Sequence, residues 1–223
     1  MDIYIDSANV AEIESALWFP IRGITTNPTI VSRENRPFKE LLQELVGLGL
    51  DEVHTQILGV TTEEIVAEAK MLVEIAPEQI IPKIPVNPAG LGAIKELSTQ
   101  GYRTTATAIY TVSQGVLAAR AGAHFLAPYV NRIDGLGGSG AEATCQMKWA
   151  LEQYDLPTKI IAASVKTAHQ LQVLLEGGVD SVTITGGFLQ EAVTHGETEQ
   201  AIVTFRNNWK RVYKSLSLEG LKS

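Results

Sequence analysis

One lysine stands in the middle of an apolar run, Ile80-Ile81-Pro82-Lys83-Ile84-Pro85-Val86-Asn87. Burying an ammonium group is costly unless it is paired or gives up its proton. Proline is confined to sheet edges and strand ends, which fits Lys83 as a gatekeeper on an edge strand. The alternative is that the amine is wanted there: among Ile81, Ile84 and Val86 its charged form is disfavoured and its pKa falls. At the ordinary pKa about one lysine in 2,500 is neutral at pH 7, whereas a pKa of about 8 makes it roughly one in ten, on the order of 200-fold more nucleophile. That is the behaviour of a lysine that forms Schiff bases with carbonyl substrates.

Further polar residues close or follow other strand-like runs: Asp6, Thr25 and Asn27, Gln56, Thr107, Tyr129 to Arg132, and Ser164 to Lys166. Any single one has a plain explanation, because strands end in polar residues where they meet water. Nearly every run delivering one to the same end is the stronger observation. Arg132, Ser164 and Lys166 follow the sixth and seventh runs, where barrel folds bind phosphate, and they suit an anion. Plainer roles compete: Arg132 and Lys166 as solvated surface charges, and Asp6 as the N-cap of a helix carrying Val10, Ile13 and Ala16. Ser7 or Asn9 would serve that cap equally well.

The elements that must position these groups are eight short β-rich runs, at 2–6, 21–25, 53–57, 79–84, 103–109, 124–130, 159–165 and 180–185. Between them lie helical stripes such as Phe38, Leu41, Leu42, Leu45, Val46 and Ile65, Val66, Ala69, Leu72, Val73. Thr61-Thr62-Glu63-Glu64 reads as a capping box, and Asn87-Pro88 as a cap with proline at the first helical position. Eight strands alternating with helices and apolar on both faces predict an α/β fold with a parallel sheet closed into a single (β/α)8 TIM barrel. One domain over 1–223 is expected, with a closing helix at about 198–218 carrying Ile202, Phe205, Trp209, Val212, Tyr213 and Leu216, packed on the barrel or on another subunit.

Composition narrows the function. The chain has 223 residues, 45% of them hydrophobic, a net charge of -7 and a pI near 5.2, which argues against a nucleic-acid surface. Cys145 has no second thiol to pair with, and His54, His124, His169 and His195 show no metal-ligand spacing, so no metal is expected. No stretch reaches the ~18 apolar residues of a membrane span, and the expectation is a cytoplasmic protein without membrane partners. The run Gly135-Leu136-Gly137-Gly138-Ser139-Gly140 imitates a dinucleotide fingerprint but comes late after its strand, and the Ser164 region lacks a nucleophile elbow.

The stretches "DIYIDSANV", "GITTNPTI", "KIPVNPAGLGAIK", "APYVNRIDGLGGSG" and "AASVKT", in this order over essentially the whole chain, resemble the small transaldolase family, which includes fructose-6-phosphate aldolases. The resemblance implies a (β/α)8 barrel and Schiff-base chemistry without cofactor, with Lys83 as the covalent lysine. It implies that Asp6 and Asn27 hold the donor's hydroxyl groups with Thr25 nearby, and that Asp6 assists proton movement. Gln56, Thr107 and Tyr129 would position a water or proton, and Arg132, Ser164 and Lys166 would bind the substrate phosphate.

Transaldolases of the family typically carry glutamate and phenylalanine where this chain has Gln56 and Tyr129. By that comparison the leading expectation is a class I aldolase that cleaves fructose 6-phosphate to dihydroxyacetone and glyceraldehyde 3-phosphate. The alternatives are a transaldolase that passes the dihydroxyacetone unit to an aldose phosphate, and a silent sugar-phosphate-binding barrel. The chain departs from the aldolase pattern at Val165 and at Thr183-Ile184-Thr185-Gly186-Gly187-Phe188, beside the expected phosphate end. Partners implied are sugar phosphates, small ketones and further copies of the chain, in a homo-oligomeric ring of five or ten.

Overall fold

The structure, a computed structural model, describes residues 1–218 of the chain. Two compact units are present, Met1–Gly186 and a second that begins at Gly187. The first contains eight strands, β1 (Asp2–Asp6), β2 (Gly23–Thr25), β3 (Glu52–Gln56), β4 (Ile80–Pro85), β5 (Thr105–Ile109), β6 (Phe125–Pro128), β7 (Lys159–Ala162) and β8 (Ser181–Ile184). All neighbouring pairs are parallel and β1 pairs with β8, so the sheet closes as the expected (β/α)8 barrel.

Closure decides the first question about Lys83. A closed sheet has no edge to guard, and β4 lies between β3 and β5 with Gln56 opposite Lys83 on one side and Thr105 on the other. Pro82 and Pro85 sit inside the barrel wall, opposite Thr55 and Thr107. The edge-strand reading therefore fails: each proline forfeits one donor to the ladder, but β4 stays paired on both sides.

Strands alternate inward and outward with period two, so the inward set is read directly from the register. Tyr4, Ile81, Phe125 and Ile161 form one buried layer in the barrel interior. Toward the carboxyl ends the buried residues include the small Thr25, Thr107, Ala127 and Ala163. At Ala108 the backbone enters the left-handed region (φ 55) and the β5 to β6 register shifts, marking a bulge just after Thr107.

The helices begin where local chemistry says they should. Asn9, not Asp6, caps α1 (Val10–Glu14): its side chain accepts from the Glu12 N–H at 3.0 Å, which frees Asp6 for other work. Asn27 caps α2 (Pro28–Arg33), and α3 is Phe38–Gly47. The capping box of Thr61 and Glu64 opens α4 (Thr62–Ile75), and Asn87 caps α5 (Pro88–Thr99). The remaining barrel helices are α6 (Val112–Arg120), α7 (Val130–Gly135), α8 (Gly140–Gln153) and α9 (Ala168–Glu176).

The glycine-rich run between α7 and α8 is a packing device. Gly137 takes φ 84, and a Cβ on Gly140 would lie 2.1 Å from the Val130 carbonyl. After β8 come α10 (Gly186–Val193) and α11 (Gly196–Tyr213), the latter ended by Lys214 in the left-handed region rather than running on to 218. Helix α11 buries no residue, and Ile202, Phe205, Trp209 and Tyr213 are exposed along it. No helix among the described residues is long and apolar enough to cross a membrane.

Candidate active site

Lys83 is 3% exposed, and its Nζ donates to the Thr26 carbonyl at 2.9 Å. Burial pushes the amine below the ordinary lysine range; the Asp6 carboxylate opposes that and the Arg132 guanidinium adds to it. A carbonyl accepts from an ammonium or from a neutral amine alike, so this contact does not lock the proton in place.

Asp6, at the end of β1, is held by a short chain. The Thr25 hydroxyl donates to Asp6 Oδ1 at 2.8 Å, and Thr183 lies 2.7 Å from the same hydroxyl. Each threonine carries one O–H, so Thr183 must be the donor in the second contact, and the chain runs Thr183 to Thr25 to Asp6. Asn27 is split between two tasks. Its Oδ1 accepts from the Ile30 N–H at 3.1 Å as the α2 cap, which leaves its NH₂ as the group free to donate to a ligand.

Tyr129 is 9% exposed, and its phenol oxygen accepts from the Thr107 hydroxyl at 3.4 Å. The Tyr110 ring meets it edge-on at 5.7 Å, and the Arg132 guanidinium lies 4.3 Å over its face, a cation–π contact. Arg132 rides on α7, whose first N–H groups are taken by the chain after β7: Val130 donates to the Ala163 carbonyl at 2.9 Å and Asn131 to the Ser164 carbonyl at 3.0 Å. Ser164 itself is left-handed (φ 59), a strained conformation for a serine.

One cavity of about 480 Å³ at the carboxyl ends is lined by Asp6, Asn27, Lys83, Tyr129, Arg132, Ser164 and Lys166. Seven of the ten expected site residues thus share one space. Thr25 and Thr107 stand behind it, hydrogen-bonded to Asp6 and Tyr129. Gln56 pairs in register with Lys83 but lines a different, mostly apolar groove of about 500 Å³ with Phe38, Leu58 and Met71.

Sequence reasoning missed the rest of the lining, including Glu12, Arg33 and Glu34. Arg33 and Glu34 close the C-terminal end of α2, and no sequence signal marks that end as part of the site. The Thr26 carbonyl is a backbone atom and leaves no such signal.

A nucleophile of lowered pKa, a carboxylate within its electrostatic reach, a phenol, an amide donor and two cations beside a serine hydroxyl can form an imine and move protons around it. They can also fix an anion away from the reacting carbon.

Comparison with known proteins agrees with this constellation. Residues 3–223 match the family model described as transaldolase/fructose-6-phosphate aldolase. A protein named probable transaldolase 2 from Listeria monocytogenes is 35% identical over 212 residues, covering 94% of this chain and 96% of the relative. Probable transaldolases from Alkaliphilus metalliredigens (34% over 215 residues, 96% of this chain and 100% of the relative) and Lactiplantibacillus plantarum (35% over 211 residues, 94% and 97%) are similarly close. Matches of this extent, over a closed barrel with a buried lysine, make the chain a member of the transaldolase/fructose-6-phosphate aldolase family.

Proposed function

We propose that the chain is a Schiff-base transaldolase: Lys83 takes a three-carbon dihydroxyacetone unit from a ketose phosphate such as fructose 6-phosphate and passes it to an aldose phosphate. The observation that carries the reading is the buried Lys83 amine, facing the same cavity as Asp6 and the Arg132, Ser164 and Lys166 cluster. Neutral Lys83 attacks the ketone carbon, water leaves, and the iminium draws the electron pair of the breaking C3–C4 bond. Asp6, within electrostatic reach of the amine, serves as the base for the hydroxyl proton. Arg132, Ser164 and Lys166 hold the phosphate. No cofactor enters, because the iminium is itself the electron sink.

Transfer takes precedence over hydrolytic release because the similar proteins are named probable transaldolases. The aldolase reading keeps one observation in its favour: Tyr129 lines the cavity and its phenol oxygen accepts from Thr107, which supports a role in handling a water that discharges the iminium.

Release of glyceraldehyde 3-phosphate from fructose 6-phosphate supplied alone decides between them. The expected outcome is a stop near one enzyme equivalent, rescued by erythrose 4-phosphate. Sustained release past many equivalents would make the protein an aldolase, and no release with or without erythrose 4-phosphate would remove both readings.

A further inference from the structure

We propose that Gln170, a residue that does not line the cavity, is the positioning residue of its anion subsite, tying the loop that carries Ser164 and Lys166 to the helix that carries Arg132. The inference rests on the reading of that cluster as a phosphate site. Gln170 is 6% exposed, and its amide spends every donor and acceptor it has. Oε1 accepts from the Lys166 N–H at 2.7 Å and the Thr167 N–H at 3.1 Å. Nε2 donates to Asn131 Oδ1 at 3.2 Å and to Asp134 Oδ2 at 2.6 Å. The first pair grips the chain just after Ser164; the second grips α7 on both sides of Arg132. Asp134 carries the tie onward, since its other oxygen accepts from the Gly140 N–H at 2.6 Å and fixes the start of α8.

One of these four contacts is ordinary helix capping: the Thr167 N–H bond to Oε1, with the Thr167 hydroxyl accepting from the Gln170 N–H, forms the capping box of α9. The other side of the amide is not needed for a cap. It reaches across 36 residues of sequence to Asp134, and it is what sets the spacing between the two cationic side chains and the serine. A phosphoryl group held by several charge-assisted contacts is sensitive to that spacing, while imine formation at Lys83 is not.

The test uses the full chain with Gln170→Glu, Asp134→Asn and the two combined. Gln170→Glu keeps both acceptor contacts but turns the donor side into an anion facing Asp134. The double change restores complementarity, because the new amide can donate to the carboxylate while its oxygen still accepts from Gly140, and Asn131 can turn its amide to donate. Inorganic phosphate binding is read by calorimetry, kcat and KM on fructose 6-phosphate with erythrose 4-phosphate in excess, and Lys83 by borohydride trapping of dihydroxyacetone, which carries no phosphate.

Gln170→Glu is expected to weaken phosphate binding and raise KM by about tenfold, with kcat and the trapping rate within about twofold of the parent, and the double variant is expected to recover most of the loss. Parallel loss of trapping and phosphate binding, or a double variant that recovers nothing, would show a merely structural residue and overturn the proposal. A parent that binds phosphate while the variants bind it equally well overturns the role of Gln170 alone. A parent that binds none overturns the anion subsite as well.

Discussion

Glu52 and Lys83 lie on adjacent strands of one barrel, 4% and 3% exposed, yet their surroundings differ in kind. Glu52, at the amino end of β3, accepts from the Tyr4 hydroxyl at 2.5 Å, from Arg103 at 3.0 Å and from His54 Nε2 at 3.3 Å. Because Glu52 can only accept, His54 carries its proton on Nε2, and its Nδ1 accepts from Thr105 at 2.7 Å. The carboxylate is held down to a pKa of about 2: burial pushes it up, and the His54 and Tyr4 hydrogen bonds and the nearby cations push it further down.

Lys83 has the Thr26 carbonyl and little else, and its charged form is disfavoured. Both groups have lowered pKa values for opposite reasons. The amino end uses a buried charge fully matched by partners; the carboxyl end keeps an amine that its surroundings do not want charged. Matched charge belongs to the architecture, and unmatched charge to chemistry.

The largest break in this comparison comes from Lys83→Met. Borohydride trapping should disappear and turnover fall by roughly 10⁴-fold or more, while thermal denaturation shows a barrel at least as stable as the parent, because an apolar side chain of similar length replaces a desolvated amine. A less stable variant would mean that Lys83 supports the fold as Glu52 does.

Glu52→Gln is the converse. It removes the charge that Arg103 matches and that His54 and Tyr4 hydrogen-bond, and should cost about 3 kcal/mol in urea denaturation, with the trapping rate at Lys83 nearly unchanged. Equal losses of stability and trapping would erase the division between the two ends.

Dependence on pH sharpens the contrast further. Glu52 ionises in the folded barrel at about 2 against an ordinary value of 4.5, so its contribution of about 3 kcal/mol is complete above pH 4.5 and is lost as pH falls toward 2. Burial also lowers the His54 pKa, so the folded barrel resists a proton that the unfolded chain accepts, and the decline begins below about pH 6.5. Lys83 acts at the other extreme. The folded chain gives up its proton earlier than the unfolded one, so stability gains as pH rises from the lowered pKa toward 10.5. Denaturation midpoints against pH should show the acid decline in parent and Lys83→Met alike, and the alkaline gain in the parent only.

Much of the carboxyl end was legible in the chain. Lys83 announced itself by its apolar neighbours, and the barrel by eight runs and two capping signals, because those patterns are local. Closure was expected from the count of eight runs, but whether β4 was an edge could be decided only by β1 meeting β8, a pairing with no local trace. The network at the amino end was missed for the same reason: Tyr4 and Glu52 are 48 residues apart, and His54 and Thr105 are 51 apart. Gln56 pairs in register with Lys83 and also lines an apolar groove walled by α2 to α4, and how those helices sit outside β3 is not encoded in strand register.

The hydrogen bond from Lys83 to the Thr26 carbonyl carries one more implication. In the proposed cycle the nitrogen is in turn an ammonium, an amine, a carbinolamine and a protonated imine, and each of these retains at least one N–H. A single acceptor from the barrel wall can therefore hold the nitrogen through all of them, as a fixed axle about which the carbon skeleton of the substrate turns. An inhibitor that leaves the nitrogen without a hydrogen would have to break that axle, whereas one that stops at a secondary amine would inherit it.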